Sequence, residues 1–180
     1  MGRPKALLEY RGESFLDRQI ALYAAAGARV ICVLGHDAAR IAASLRRNAG
    51  AVLVLNPVPG AGQFSSLQCG LRAMQDSTEA FFFTPADSPG VRPETLQAML
   101  DVWNPEAADF LQPAWRGRHG HPVLAAARMA AAFLAMPPGA SARELVRRSR
   151  RRFVDVEDPF VLLDVDTPET YQRLLEDRFE

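Results

Sequence analysis

The chain has 180 residues, its 21 Lys and Arg balance 21 Asp and Glu, and 48% of its residues are hydrophobic. That length and apolar content predict one compact domain, which buries roughly 70% of the unfolded surface and needs no disulfide scaffold. Zero formal charge gives no footing for general binding to nucleic acid or a membrane surface. The apolar runs fall short of the ~20 residues of a bilayer span. The N-terminus, MGRPKALLEY, has no signal-peptide core, so a cytoplasmic location is expected. Cys32 and Cys69 have no partner at metal or redox spacing and read as small buried hydrophobes.

In chain order, Ser14 with Asp17 makes a cap-like helix start, and Leu16, Ile20 and Tyr23 share one face before Gly27 stops it. Three continuous apolar runs, Val30–Leu34, Ala51–Leu55 and Ala80–Phe83, predict strands of a mainly parallel sheet. Between and after them lie helical patterns: one opening at Asp37 through Ile41 and Leu45, one capped by Ser65 or Ser66 through Leu67, Leu71 and Met74, and one with Pro93 in its first turn. Repeated βα units with right-handed crossovers give an α/β fold, a three-layer α/β/α Rossmann-like sandwich. Asp109–Trp115 and His121–Ala125 read as two strands of a small β-arm around the turn RGRHG. Helices follow over Arg128–Met136 and from Ser141. Short strands are expected at Phe153–Val156 and Phe160–Val165, and a closing helix begins at Pro168. The arginines Arg147, Arg148, Arg150, Arg151 and Arg152 read as a solvated helix end or a phosphate site.

Ligands of open α/β sheets bind at the carboxyl ends of strands, so polar residues directly after apolar runs are the candidates. Asp87 follows AFFF in the loop TPADSPGV. Asp164 and Asp166 follow FVLL and, two apart on a strand, would share a face. Carboxylates from two strand ends suit Mg²⁺, which takes a few carboxylates and completes its shell with water and phosphate oxygens. One of this pair could equally cap the helix at Pro168. The segment NPVPGAGQFSSL places glycines and two serines between strand and helix, where N–H groups and hydroxyls could meet a phosphate. His121, beside Pro122, is either structural or turned to the cleft.

Five segments, MGRPKALLEYRG, NPVPGAGQFSSLQCGL, FFFTPADSPGV, GRHGHPV and DVDTPETY, stand in the order seen in the MobA-like nucleotidyltransferase family. Within it the chain most resembles the molybdenum cofactor cytidylyltransferase branch, over nearly its whole length. The resemblance implies that residues 1–180 form a single nucleotidyltransferase domain that uses Mg²⁺ to transfer a nucleotidyl group, CMP from CTP, to the phosphate of molybdopterin, releasing pyrophosphate. It assigns Gly2, Arg3, Lys5, Ser65 and Ser66 to the nucleotide, with Lys5 and Asp87 in catalysis. It assigns Gly120, His121 and Pro122 to the acceptor, and Asp87, Asp164 and Asp166 to the metal. It also implies transient contact with a molybdoenzyme or its chaperone, and no nucleic-acid or membrane partner.

The alternatives are GTP as donor, a sugar phosphate as acceptor, or a nucleotide- or cofactor-binding protein without turnover. A dehydrogenase is disfavoured because no GxGxxG follows any predicted strand. Only the tail of the family signature LAAGxSxRMG is present, as Met1-Gly2-Arg3-Pro4-Lys5. The chain therefore lacks the family's first strand and glycine-rich loop, and Met1 is expected to be internal to a longer protein.

Overall fold

The computed structural model describes residues 4–46, 50–137 and 139–177. After a 3₁₀ turn at Lys5–Leu7, a two-residue hairpin pairs β1 (Glu9–Tyr10) with β2 (Glu13–Ser14) and leads into α1 (Phe15–Ala25). The helix starts where the sequence says it should. Ser14 Oγ accepts from the Asp17 N–H at 3.1 Å and donates to the Asp17 carboxylate at 2.7 Å. β3 (Val30–Leu34), α2 (Ala38–Ser44) and β4 (Ala51–Leu55) form a βαβ unit in which β3 and β4 pair in parallel, Val30 opposite Ala51 through Leu34 opposite Leu55. Leu16 and Ile20 of α1 pack with Cys32, Leu34 and Ile41 in one core cluster. Leu55 at the end of β4 is 66% exposed, as an edge strand allows.

The second half builds another sheet. β5 (Ala80–Phe83) pairs antiparallel with β8 (Val123–Ala126), which pairs antiparallel with β6 (Phe110–Trp115). β6 also takes β7 (Arg118–His119) antiparallel and β9 (Arg151–Asp155) in parallel. One face is covered by α3 (Gln63–Arg72), α5 (Met129–Leu134) and α6 (Ala142–Arg148), centred on Phe133. The ring of Phe133 is fully buried and meets Phe83 and Phe110 edge-on, with centroids 5.7 and 5.8 Å away. On the other face Met99 of α4 (Pro93–Asp101) packs on Leu111 and Leu124. The closing helix, α7 (Pro168–Leu175), buries Leu174 against Phe15 and Phe160.

The expected α/β sandwich is present, with its strands in separate hydrogen-bonded groups. Among the described residues β3 pairs only with β4, and β5 only with β8. A cavity of about 1560 Å³ is lined by β3 residues Val30–Val33 and β5 residues Ala80–Phe83. Helices span the two groups above and below: the Tyr23 ring of α1 lies 5.7 Å from that of Phe82, and Gly70 of α3 sits close enough to Val33 that a Cβ would be 3.2 Å from its methyl. The space between β3 and β5 is thus a slot lined by those two strands, by α1 and by α3.

Three local expectations are corrected. The segment His121–Ala125, expected as one strand of a small β-arm, instead supplies Val123–Ala126 to the sheet between β5 and β6. Phe160–Val165 is no strand: Pro159–Leu162 is a 3₁₀ turn, because Pro159 lacks an N–H and the buried Asp158 carboxylate accepts from the Phe160 N–H at 3.0 Å. The third helix begins at Gln63 behind Gly62, whose φ of 88° suits glycine, so Ser65 and Ser66 lie inside its first turn and do not cap it.

Candidate active site

At the carboxyl end of β5 the chain turns through Thr84-Pro85-Ala86 into Asp87, which is 9% exposed. The Gln19 amide donates to the Pro85 carbonyl at 3.0 Å, and the Arg18 Nε to the Pro89 carbonyl at 3.0 Å, so α1 holds the loop from beneath. The Val165 N–H donates to the Asp87 carbonyl at 2.8 Å and fastens to this loop the segment carrying Asp164 and Asp166. No strand was needed to bring the three acids together. A turn does it, with the Asp166 N–H on the Asp164 carbonyl at 3.1 Å.

Lys5, 161 residues before Asp166 in the chain, enters from the N-terminal turn. Its Nζ donates to Asp166 Oδ1 at 2.5 Å and to Asp87 Oδ2 at 3.4 Å. Asp166 raises the Lys5 pKa above its ordinary value, against partial burial, so the ammonium stays charged. Burial also pushes the Asp87 carboxyl up, and Asp164 and Asp166 add to it. The Lys5 charge opposes them without prevailing. Asp87 Oδ1 is buried with no hydrogen-bond partner. The Ser88 hydroxyl donates to Asp164 Oδ1 at 2.8 Å.

This oxygen-only donor set, with one orphaned carboxylate oxygen, fits a hard divalent cation that brings water and phosphate oxygens of its own. Among the described residues no three His, Cys, Asp or Glu side chains are grouped so that they alone could hold a metal ion. The ammonium of Lys5 stands instead between two of the acids.

Gly120 and His121 form the opposite lip. The His121 N–H donates to the Val161 carbonyl at 2.8 Å, and a Cβ on Gly120 would lie 1.7 Å from that same oxygen, so only glycine fits. The peptide bond between His121 and Pro122 is cis. Burial lowers the His121 pKa against the pull of Asp164 and Asp87, leaving the imidazole neutral near pH 7, and its Nδ1 has no hydrogen-bond partner. Lys5, Asp87, Gly120, His121, Asp164 and Ser66 all line the same cavity. Gly2 and Arg3 lie outside the described residues.

Ser65 and Ser66 are joined to a residue that motif reasoning passed over. The buried Asn56 amide donates to Ser65 Oγ at 2.8 Å and to Ser66 Oγ at 3.0 Å, and its backbone N–H extends the β3–β4 pairing onto the Leu34 carbonyl. Its place directly after a strand was the available signal. Ser88 was missed likewise, although it adjoins Asp87.

A protein-family profile described as MobA-like NTP transferase domain matches residues 1–156. The chain is 23% identical to the molybdenum cofactor cytidylyltransferase of Escherichia coli (strain K12) over 171 residues, covering 95% of this chain and 86% of that protein. It is similar in structure to Rv0371c from Mycobacterium tuberculosis H37Rv, with TM-score 0.82 and 27% identity over 98% of this chain and 91% of the other. A manganese complex of Rv0371c superposes with TM-score 0.80 at 27% identity, covering 97% of this chain and 92% of the other. A strand-end acid loop, a lysine from the N-terminal turn and a profile match over most of the chain agree: this protein is a nucleotidyltransferase and belongs to the MobA-like NTP transferase family.

Proposed function

We propose that this chain is a cytoplasmic cytidylyltransferase that uses Mg²⁺ to move CMP from CTP to the phosphate of a molybdopterin cofactor. The carrying observation is the Lys5 ammonium set between Asp87 and Asp166 beside the orphaned Asp87 Oδ1. Asp87, with Asp164 or Asp166, would hold the cation, which when bound supplies positive charge to the reacting phosphates. Lys5, already charged and half-buried at the cavity wall, stabilises the departing pyrophosphate. An acceptor phosphate oxygen forms a bond to the α-phosphorus as the bond from that phosphorus to the bridging oxygen breaks, so no enzyme nucleophile is needed. The acceptor is ionised near pH 7, and the neutral His121 orients it and takes no proton from it. Asn56 fixes the serine hydroxyls at the cavity edge where the nucleotide binds. The name of the Escherichia coli relative supports CTP and a molybdenum cofactor as substrates.

The slot between β3 and β5 belongs to this proposal. A parallel strand placed there would pair with both free edges, and the loop after it would bring backbone N–H groups to the phosphates beside Lys5. A chain extended ahead of Met1 by such a strand and a glycine-rich loop should melt higher and bind Mg-CTP more tightly. An extension that changes neither removes the slot from the site.

The test is pyrophosphate release from CTP or GTP with molybdopterin as acceptor, in Mg²⁺, in Mn²⁺ and in chelator. Release that needs CTP, acceptor and cation together is expected. Preference for GTP or for a sugar phosphate would redirect the reading within the family, and no release from the extended chain would overturn it.

A further inference from the structure

The run of arginines from the end of α6 into β9 is divided by the fold. Arg150 is consumed by Asp109, which accepts from its N–H at 3.0 Å and from its guanidinium at 3.2 Å. Arg148 and Arg152 are exposed and do not line the cavity. Arg147 and Arg151 do line it, together with Arg143, one helical turn before Arg147 on α6, and with His119 of β7. His119 and Arg151 share one support: the imidazole centroid lies 5.0 Å from that of Phe153, and the Arg151 guanidinium carbon 5.6 Å from it. Among the described residues none of Arg143, Arg147 and Arg151 forms an ion pair. Three like charges gathered at one rim and not ion-paired to a carboxylate repel one another and favour an anion.

A second, independent sign stands on the same wall. Gln112 is 7% exposed and lines the cavity, and on β6 it lies two residues before the partner of His119. Its Nε2 donates to the Gly120 carbonyl at 3.2 Å, which fixes the amide orientation and leaves Oε1 buried without a donor. Electrostatics separates this wall from the acid centre. Burial lowers the His119 pKa, and Arg151, Arg143 and Arg147 lower it further, whereas His121, two residues on, responds to Asp164 and Asp87. Arg118 adjoins His119 on its own strand, and Asp155, on the same face of β9 as Arg151, makes no ion pair with this group.

We propose that Arg143, Arg147, Arg151 and His119 form an anion-binding rim, with Gln112 beneath it, that receives a second acidic group of the phosphorylated acceptor while the reacting phosphate lies at the acid centre. The ligand is therefore an acceptor with at least two anionic groups and an N–H or O–H that the Gln112 carbonyl can accept. This deepens the transferase reading and rests on it for the identity of the ligand, while the anion site itself can be tested without turnover.

The probe is sulfate, which keeps its charge across the titration of histidine. His119 is followed by NMR from pH 5 to 8 in sulfate and in chloride at equal ionic strength, in the wild type, in the double variant Arg147→Gln/Arg151→Gln and in Arg152→Gln. The expected result is a sulfate-dependent rise of the His119 midpoint in the wild type and in Arg152→Gln, and none in the double variant. Melting curves of all three should agree, since Gln keeps an unbranched polar stem at Arg147 on α6 and at Arg151 and Arg152 on β9. In the transfer assay the double variant should raise KM for the acceptor at least tenfold and leave KM for CTP in place. Absence of a sulfate shift, or an equal shift in the double variant, overturns the rim. A sulfate shift without transfer overturns the transferase reading alone, and a double variant that raises both KM values equally overturns the acceptor assignment.

Discussion

Asp87 and Asp109 stand at opposite ends of the same sheet. Asp87 follows β5, while Asp109 precedes β6, where its carbonyl accepts from the Ala126 N–H at the end of β8. Their side chains have similar exposure, 12% and 15%, so surface accessibility does not separate them. Their partners do. Asp109 Oδ1 accepts from Arg128 at 2.7 Å and from Arg150 at 3.2 Å, and Oδ2 accepts from the Arg150 backbone at 3.0 Å. Arg150 and then Arg128 hold its pKa down at about 2. For Asp87, burial outweighs its one ammonium at 3.4 Å, two acidic neighbours add to the effect, and an oxygen keeps no partner, so its pKa moves up. One end of the sheet is closed by its own side chains. The other is left open, as a site must be if a ligand is to complete it.

The two ends of the sheet should differ most in their response to loss of the Asp87 carboxylate. Asp87→Asn should lower cation-dependent pyrophosphate release by roughly 10²- to 10³-fold, the cost of losing one preorganised electrostatic group, and should leave the melting temperature unchanged or raised. A stable variant that retains turnover would end the catalytic reading. Next, Gly120→Ala sets a methyl against the Val161 carbonyl and should cost about 3 kcal/mol, the upper end for overpacking. Denaturant unfolding checks this, and a loss below about 1 kcal/mol would mean that the His121 lip gives way easily.

Asp109→Asn should cost roughly 1 to 2 kcal/mol, since its partners are partly exposed, and should spare turnover. Lost turnover with unchanged stability would erase the distinction between the two ends. The smallest effect is in the pH dependence, where the two acids have opposite signs. The folded pKa of Asp109 lies below the ordinary 3.8, so its stabilisation is complete above that value and lost as the pH falls toward 2. The folded pKa of Asp87 lies above 3.8, so its ionisation costs stability as the pH rises from there through the folded pKa. Melting differences from wild type should therefore grow with rising pH for Asp87→Asn, in that variant's favour, and shrink below pH 4 for Asp109→Asn.

Much of the molecule was legible because the signals were local. The runs Val30–Leu34, Ala51–Leu55 and Ala80–Phe83 are strands with those bounds, and Ser14, Pro93 and Pro168 open the helices their positions announced. Lys5, Asp87, Asp164 and Asp166 were found as members of ordered motifs, and they meet. Asn56, Ser88 and Gln112 were not found, because a single polar residue after or within a strand carries no pattern until its partners are known. The arginine run likewise gave no hint that Arg150 serves stability while Arg147 and Arg151 face the cavity.

Sequence by itself thus determined the elements, through periodicity, caps and proline, and it identified the family through the order of its segments. Tertiary structure alone decided which strands became neighbours. It placed β8 between β5 and β6, turned the apolar segment after Asp158 into a 3₁₀ bend, and brought Lys5 across 161 residues to Asp166. The physical reason is the range of the forces involved. Backbone preference acts over one or two turns, whereas strand order, burial of charge and the unsatisfied oxygen of Asp87 depend on groups that only the closed core makes adjacent.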